Sequence, residues 1–150
     1  MMWLPGMEAG SALADVLSGR VSPSGKLNDT IALQYEDYPS SANFGGKDYN
    51  TYAEDIYVGY RYFETFAKEK VLYPFGFGLS YTTFDVKTVS TEITENVISL
   101  EISVKNTGSY KGKEVVQLYL EAPQGKLGKA SRVLCGYEKT KELAPGESQI

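Results

Sequence analysis

The residues of this chain that could do chemistry are few. There is no histidine among the 150 residues, which removes the commonest general acid/base and any zinc or copper site built on imidazole. Cys135 is the single cysteine, so the chain has no internal disulfide framework. Chemistry would therefore fall to carboxylates, Tyr, Lys or Arg. Glu54 and Asp55 stand side by side with Arg61 close behind. Adjacent carboxylates at the entry of a strand point to opposite faces, so their spacing alone makes no shared acid/base pair. Tyr57, Tyr60, Tyr62, Phe75 and Phe77 could stack on sugar rings, although alternating aromatics of this kind pack more often in cores. The turn at Pro5-Gly6, meeting a helix start, could hold an anion, but nothing beside it supports phosphate chemistry and it reads as a packing feature. Asn28-Asp29-Thr30 matches the N-glycosylation acceptor pattern.

These residues must be positioned by the elements around them, and composition bounds what those are. Hydrophobic content of 42% and charged content of 23% are those of a globular chain. A net charge of −4 supplies no basic field for nucleic acid. No apolar run approaches the roughly 20 residues that cross a bilayer, and the first residues lack the basic start and apolar core of a signal peptide.

In chain order, Ala9, Ala12, Leu13, Val16 and Leu17 fall at helical spacing, and Ser18-Gly19 ends that helix with Gly19 in the left-handed position. Ser22 to Gly25 is a turn by composition, and Lys26 to Leu33 is expected to form a short strand. Gln34 to Ala53 is polar with scattered Tyr and reads as a long irregular loop or strap. Ile56 to Phe63 alternates aromatic and β-branched residues and is expected as a strand. Tyr73 to Phe84 alternates aromatics with Gly76 and Gly78 and suits a rigid connector. Both glycines are expected where φ is positive or a side chain would clash, with Phe75 and Phe77 packed at a domain junction.

Beyond the connector the pattern is all β. Strands are expected at Phe84 to Val89, Val97 to Lys105, Val115 to Leu120 and Arg132 to Lys139, with turns at Asn106-Thr107-Gly108 and Ala144-Pro145-Gly146-Glu147. Ile98, Leu100, Ile102 and Val104 share one face and are expected to face the same buried layer as Val116, Leu118 and Leu120. A sandwich of this type needs about seven strands, and this pattern supplies about four.

Assembled, the motifs resemble the C-terminal part of a family 3 glycoside hydrolase of the β-glucosidase and β-xylosidase group. The resemblance rests on Trp3-Leu4-Pro5-Gly6 with Glu8-Ala9-Gly10, Ala12 to Gly19, and Pro23-Ser24-Gly25-Lys26-Leu27. It continues in Glu54 with Ile56 to Tyr62, in Pro74 to Thr82, in Val104 to Gly108, in Gly112 to Tyr119, and in Leu143 to Glu147. Asn28-Asp29 departs from the Pro and apolar residue that often follow Gly25-Lys26-Leu27 in the family.

The resemblance implies an α+β segment, with the end of an α/β sandwich domain (residues 1–33), a strap and connector (34–83) and an incomplete fibronectin type III-like antiparallel β-sandwich (84–150). It implies a retaining exo-acting β-glycosidase working on a β-linked glucoside or xyloside, without cofactor, metal, nucleic acid or membrane. The nucleophilic Asp and the acid/base Glu would precede Met1, so no catalytic residue is assigned and the chain alone is expected to be inactive. The alternative from another class is a free-standing fibronectin-like module that binds carbohydrate or protein. Such a module has no use for the helical opening from Trp3 to Leu27.

Overall fold

The computed structural model describes residues Trp3–Ile150. They form two helices and seven strands, and three of the strand pairs are antiparallel. The helices are α1 (Ala9–Leu17) and α2 (Tyr60–Phe66). The strands are β1 (Ile31–Ala32), β2 (Val71–Tyr73), β3 (Phe84–Ile93), β4 (Ile98–Asn106), β5 (Val115–Leu120), β6 (Val133–Lys139) and β7 (Ser148–Gln149). The chain divides into two compact units, and β5 and β6 each run through both. The first comprises residues 1–25, 78–116 and 138–150; the second comprises residues 26–77 and 117–137.

In the first unit, α1 closes as its sequence dictates. The Ser18 and Gly19 amides donate to Ala14 and Val16 carbonyls, and Gly19 adopts φ +76°, a conformation closed to most side chains. The helix nevertheless has no buried residue, and Trp3, Leu4, Met7 and Leu17 around it are exposed. Of its apolar stripe, Leu13 and Leu17 are exposed and Ala9 and Val16 half-buried. Tyr81 ties to the helix by donating its hydroxyl to the Val16 carbonyl at 2.8 Å.

The sheet of this unit has the order β3-β4-β7. β3 runs to Ile93, four residues past the expected end, and carries a bulge at Val89 between the Thr88 and Ser90 rungs. The even residues of β4 share a face as expected, but burial is graded along it. Val104 is buried, Leu100 and Ile102 are half-buried, and Ile98 is 59% exposed. β7 is too short to announce itself by period. It forms because the turn at Ala144 to Glu147, with Gly146 at φ +81°, returns the chain to β4.

Where the sheet meets the turns sits Asn106, fully buried and fully bonded. Its amide nitrogen donates to the Tyr110 carbonyl at 2.7 Å and the Leu143 carbonyl at 2.9 Å. Its Oδ1 accepts from the Thr82 hydroxyl at 2.7 Å and the Gly108 amide at 3.1 Å. Leu143, with no exposed surface, exchanges both backbone bonds with Gly112. One buried amide thus joins the connector, the end of β4 and the segment before β7.

In the second unit the core is Ala32, Phe63 and Ala67, with Tyr38, Tyr62 and Val71 packed against it. Three expectations are corrected here. The strand expected from Ile56 to Phe63 is instead a turn followed by α2. Tyr60, Phe63 and Ala67 also satisfy helical spacing, a short aromatic run fits both periods, and Gly59 at φ +57° redirects the backbone into the helix. The strand expected over Lys26 to Leu33 shrinks to Ile31–Ala32, paired with β2 through an irregular register. Leu27 still exchanges backbone bonds with Gly76 and Phe77. Leu118 and Leu120 are exposed rather than part of a buried layer. On β5 it is Tyr119, on the other face, that is more covered, because the aromatics of α2 and the connector lie on that side.

Candidate functional site

The residues best placed to act together lie in the second unit, around α2. Tyr60 stacks on Phe75 with ring centroids 4.7 Å apart and meets Tyr119 edge-on at 6.0 Å. Gly76 allows the connector to pass close to this group. It holds φ +82°, and a Cβ there would stand 2.3 Å from Oε1 of Gln117. Gly78, by contrast, does not take a positive φ. Arg132 places its guanidinium 5.6 Å from the Tyr119 ring centroid. It also donates through Nε to Oε2 of Glu64 at 3.0 Å, with a second, shorter contact from its terminal nitrogen. Lys68, one turn along the same stretch, reaches the same Glu64 oxygen at 3.3 Å. The Tyr60 hydroxyl accepts from the Leu134 amide at 2.8 Å, and Thr65 accepts from the Ser131 amide at 3.0 Å.

The chemistry of this group is that of a clasp. Glu64 is held by two cations, Arg132 and Lys68, in charge-assisted contacts. Burial pushes the Tyr119 phenol above its ordinary value, the neighbouring Tyr60 adds to the rise, and Arg132 opposes it. A phenol so placed stays neutral, and its hydroxyl donates to Gln117 Oε1 at 3.1 Å. These groups bond to one another and to the backbone, so the arrangement orients the elements that carry them.

The residues singled out from sequence are dispersed around it. Glu54 is half-buried in a turn closed by the Tyr57 amide donating to the Glu54 carbonyl at 2.8 Å. Asp55, exposed in that turn, takes φ +48°, a conformation Asp tolerates better than most residues. Arg61 lies 6.0 Å from the Tyr60 ring centroid. The aromatics do not form one open stripe. Tyr57 pairs with Phe66, Tyr60 with Phe75, Tyr62 with Phe63 and Phe77 with Tyr73, at centroid distances of 4.7–5.2 Å. Sequence reasoning missed Glu64, Tyr119, Arg132 and Asn106. The i,i+4 spacing of Glu64 and Lys68 was a visible signal once the segment is read as a helix, whereas nothing local points from Glu64 to Arg132.

Asn28 is exposed, whereas Thr30 of the same acceptor triplet is buried, its hydroxyl without a partner. Among the described residues no group of three or more His, Cys, Asp or Glu side chains is placed to hold a metal ion. Nor, among the described residues, is any helix long and apolar enough to cross a membrane.

Comparison with known proteins decides what this scaffold belongs to. Residues 1–81 match the glycosyl hydrolase family 3 C-terminal domain, and residues 114–150 match the fibronectin type III-like domain. The chain belongs to glycosyl hydrolase family 3. It is 58% identical over 148 residues to a β-glucosidase of Ruminococcus albus, which covers 99% of this chain and 16% of that protein. A β-glucosidase structure from Paenibacillus barengoltzii superposes with a TM-score of 0.90 at 58% identity, over 94% of this chain and 16% of that one. β-Glucosidase 3B of Thermotoga neapolitana, solved in complex with glucose, superposes with a TM-score of 0.92 at 43% identity, over 99% and 21% of the two chains. The chain therefore spans about a sixth to a fifth of the length of these relatives.

Proposed function

We infer that these 150 residues serve as the closing scaffold of a retaining, exo-acting β-glycosidase that works on β-linked glucosides or xylosides. In this reading residues 1–33 finish the α/β sandwich domain, 34–83 form the strap and connector, and 84–150 begin the fibronectin-like domain. The two carboxylates of the reaction belong to other parts of the enzyme. Retaining hydrolysis needs a nucleophile and an acid/base about 5–5.5 Å apart around the anomeric carbon. The best-built carboxylate here, Glu64, is instead fixed by Arg132 and Lys68.

The observation that carries this reading is the uncovered apolar surface. The accessible area is 10932 Å² for a mass of 16.5 kDa. A single globule of that mass exposes about 7,600 Å², and two separate globules of half the mass about 9,100 Å². The excess includes Trp3, Leu4 and Met7, with Leu13 and Leu17 of the α1 stripe. Such a stripe is what a helix on the face of an α/β sheet presents to that sheet.

Two preparations test this. The 150-residue chain alone is expected to show no turnover of aryl β-glucosides or β-xylosides and no binding of cellobiose by calorimetry. Replacing the matching 148 residues of the Ruminococcus albus β-glucosidase with this chain is expected to keep most of that enzyme's activity. Turnover by the short chain would move catalysis to its own residues, beginning with Glu54, Asp55 and Arg61. Cellobiose binding by the short chain would favour a free-standing sugar-binding module.

A further inference from the structure

Helix α2 lacks most of what would let it stand alone. It runs for seven residues, whereas isolated helices shorter than about 12–15 residues are marginal in water. Four of the seven are aromatic and one is Thr, all residues of weak helix propensity. Gly59 before it gives no side-chain cap, the first turn has no acidic residue and the last turn no basic one. The Glu64–Lys68 pair is local and its lysine is exposed, so it adds little.

The stretch from Gly128 to Leu134 is incomplete in a complementary way. Gly128 to Arg132 belongs to no strand, and β6 begins only at Val133. Backbone groups that leave water must still be bonded, and here side chains of α2 and of the turn before it supply the partners. The Gly128 carbonyl accepts from the Tyr57 hydroxyl. The Ser131 amide donates to the Thr65 hydroxyl at 3.0 Å, and the Leu134 amide to the Tyr60 hydroxyl at 2.8 Å. Arg132 adds its two bonds to Glu64. Burial sets in along the stretch that these bonds hold: Ala130 is buried, although every residue from Pro123 to Lys129 is exposed.

We propose that Gly128 to Leu134 is the docking surface on which α2 takes its helical form, so that helix and segment order and open as one unit. Each side supplies what the other lacks. Without α2, the Gly128 carbonyl and the Ser131 and Leu134 amides lose the partners they have. Without the segment, α2 keeps its own short ladder and the packing of Phe63 on Ala32 and Ala67. The two sides lie in different domains by family. Helix α2 falls in the stretch matching the glycosyl hydrolase family 3 C-terminal domain, and the segment in the stretch matching the fibronectin type III-like domain. The second domain thereby completes the fold of the first.

Native-state hydrogen exchange on the wild-type chain is the first test. The amides of Phe63 and Ala67, which bond within and at the end of α2, should share one opening free energy and urea dependence with those of Ser131 and Leu134. The amides of Asn106 and Leu143, bonded within the first unit, should follow a different one. Arg132→Met is the second test, because it removes the bonds to Glu64 and keeps an apolar stem. It should speed exchange at Phe63 and Ala67 by about tenfold or more, the loss expected of a charge-assisted hydrogen bond. Asn106 and Leu143 should not change. Lys87→Met, which breaks a surface ion pair of the first unit, should leave Phe63, Ala67, Ser131 and Leu134 as they were. Ala67 and Leu134 opening independently in the wild-type chain, or Asn106 opening with them, overturns the proposal. So does exchange in α2 that ignores Arg132→Met, that rises equally at Asn106 and Leu143, or that responds as much to Lys87→Met.

Discussion

Replacing Asn106 with Asp changes one atom's chemistry and almost nothing in shape, so its cost can be worked from the hydrogen bonds. The amide orientation is fixed by its partners. Two carbonyls, of Tyr110 and Leu143, require the nitrogen on one side, and the Gly108 amide requires the oxygen on the other. An aspartate there keeps the two accepted bonds but sets an oxygen against both carbonyls. Each carbonyl left without its donor costs about 1–3 kcal/mol, giving about 2–6 kcal/mol for the pair at neutral pH, against total stabilities of about 5–15 kcal/mol for domains. Burial and the facing carbonyls favour the protonated acid, so its folded pKa lies above the ordinary Asp value of about 3.9. The sign follows: relative stability is greatest below the unfolded pKa, where the protonated acid can donate to one carbonyl, and is lost as pH rises through the folded pKa. Urea unfolding of parent and Asn106→Asp chains, followed by far-UV circular dichroism from acid to neutral pH, reads both effects. A difference below about 1 kcal/mol at neutral pH, or one that does not shrink toward acid, would refute the account of Asn106 as a doubly donating clasp.

Gly76→Ala should destabilise by about 1–3 kcal/mol, since an L-residue at φ +82° is strained by about 1–2 kcal/mol and the new methyl must also displace Gln117. Gly125→Ala, in open space at an ordinary φ, is the control, and equal denaturation midpoints would show the strain argument to be wrong. Thr30→Val should be neutral or stabilising by up to about 2 kcal/mol, because the Thr30 hydroxyl is buried without a partner and its desolvation is uncompensated; a loss of stability counts against this. The Glu147 carboxyl is held below its usual range first by the Ala144 amide and then by Lys141. Its contribution to stability is therefore present above the unfolded pKa and lost as pH falls through the folded one. Lys141→Ala should raise the Glu147 pKa only part of the way in a carboxyl NMR titration, and a full return to the ordinary value would contradict that ranking. Lys70 is raised, chiefly by its hydrogen bond to Asp37, so Asp37→Asn should lower it in the corresponding ammonium titration.

Much of the fold was legible in the residue order where one physical rule acted alone. Helix α1 was set by five apolar residues at helical spacing and a glycine that ends it. β4, β5 and β6 lie within a residue of the runs expected for them, and the turn at Ala144 to Glu147 forms where Pro and Gly stand together. The family was legible as well, because its motifs are spread in order along nearly the whole chain.

Tertiary structure decided what local rules left degenerate. Seven residues from Tyr60 to Phe66 suit a strand or a helix by period, and burial of Phe63 against Ala32 and Ala67 chose the helix. Strand alternation could not say which face of β5 is covered. Tyr119 is, because partners distant in sequence, Tyr60 and Arg132, lie on its side. The joining of Glu64 to Arg132, and of Asn106 to Leu143, spans 68 and 37 residues. No spacing rule reaches that far, since such pairs form only after the intervening chain has folded back on itself.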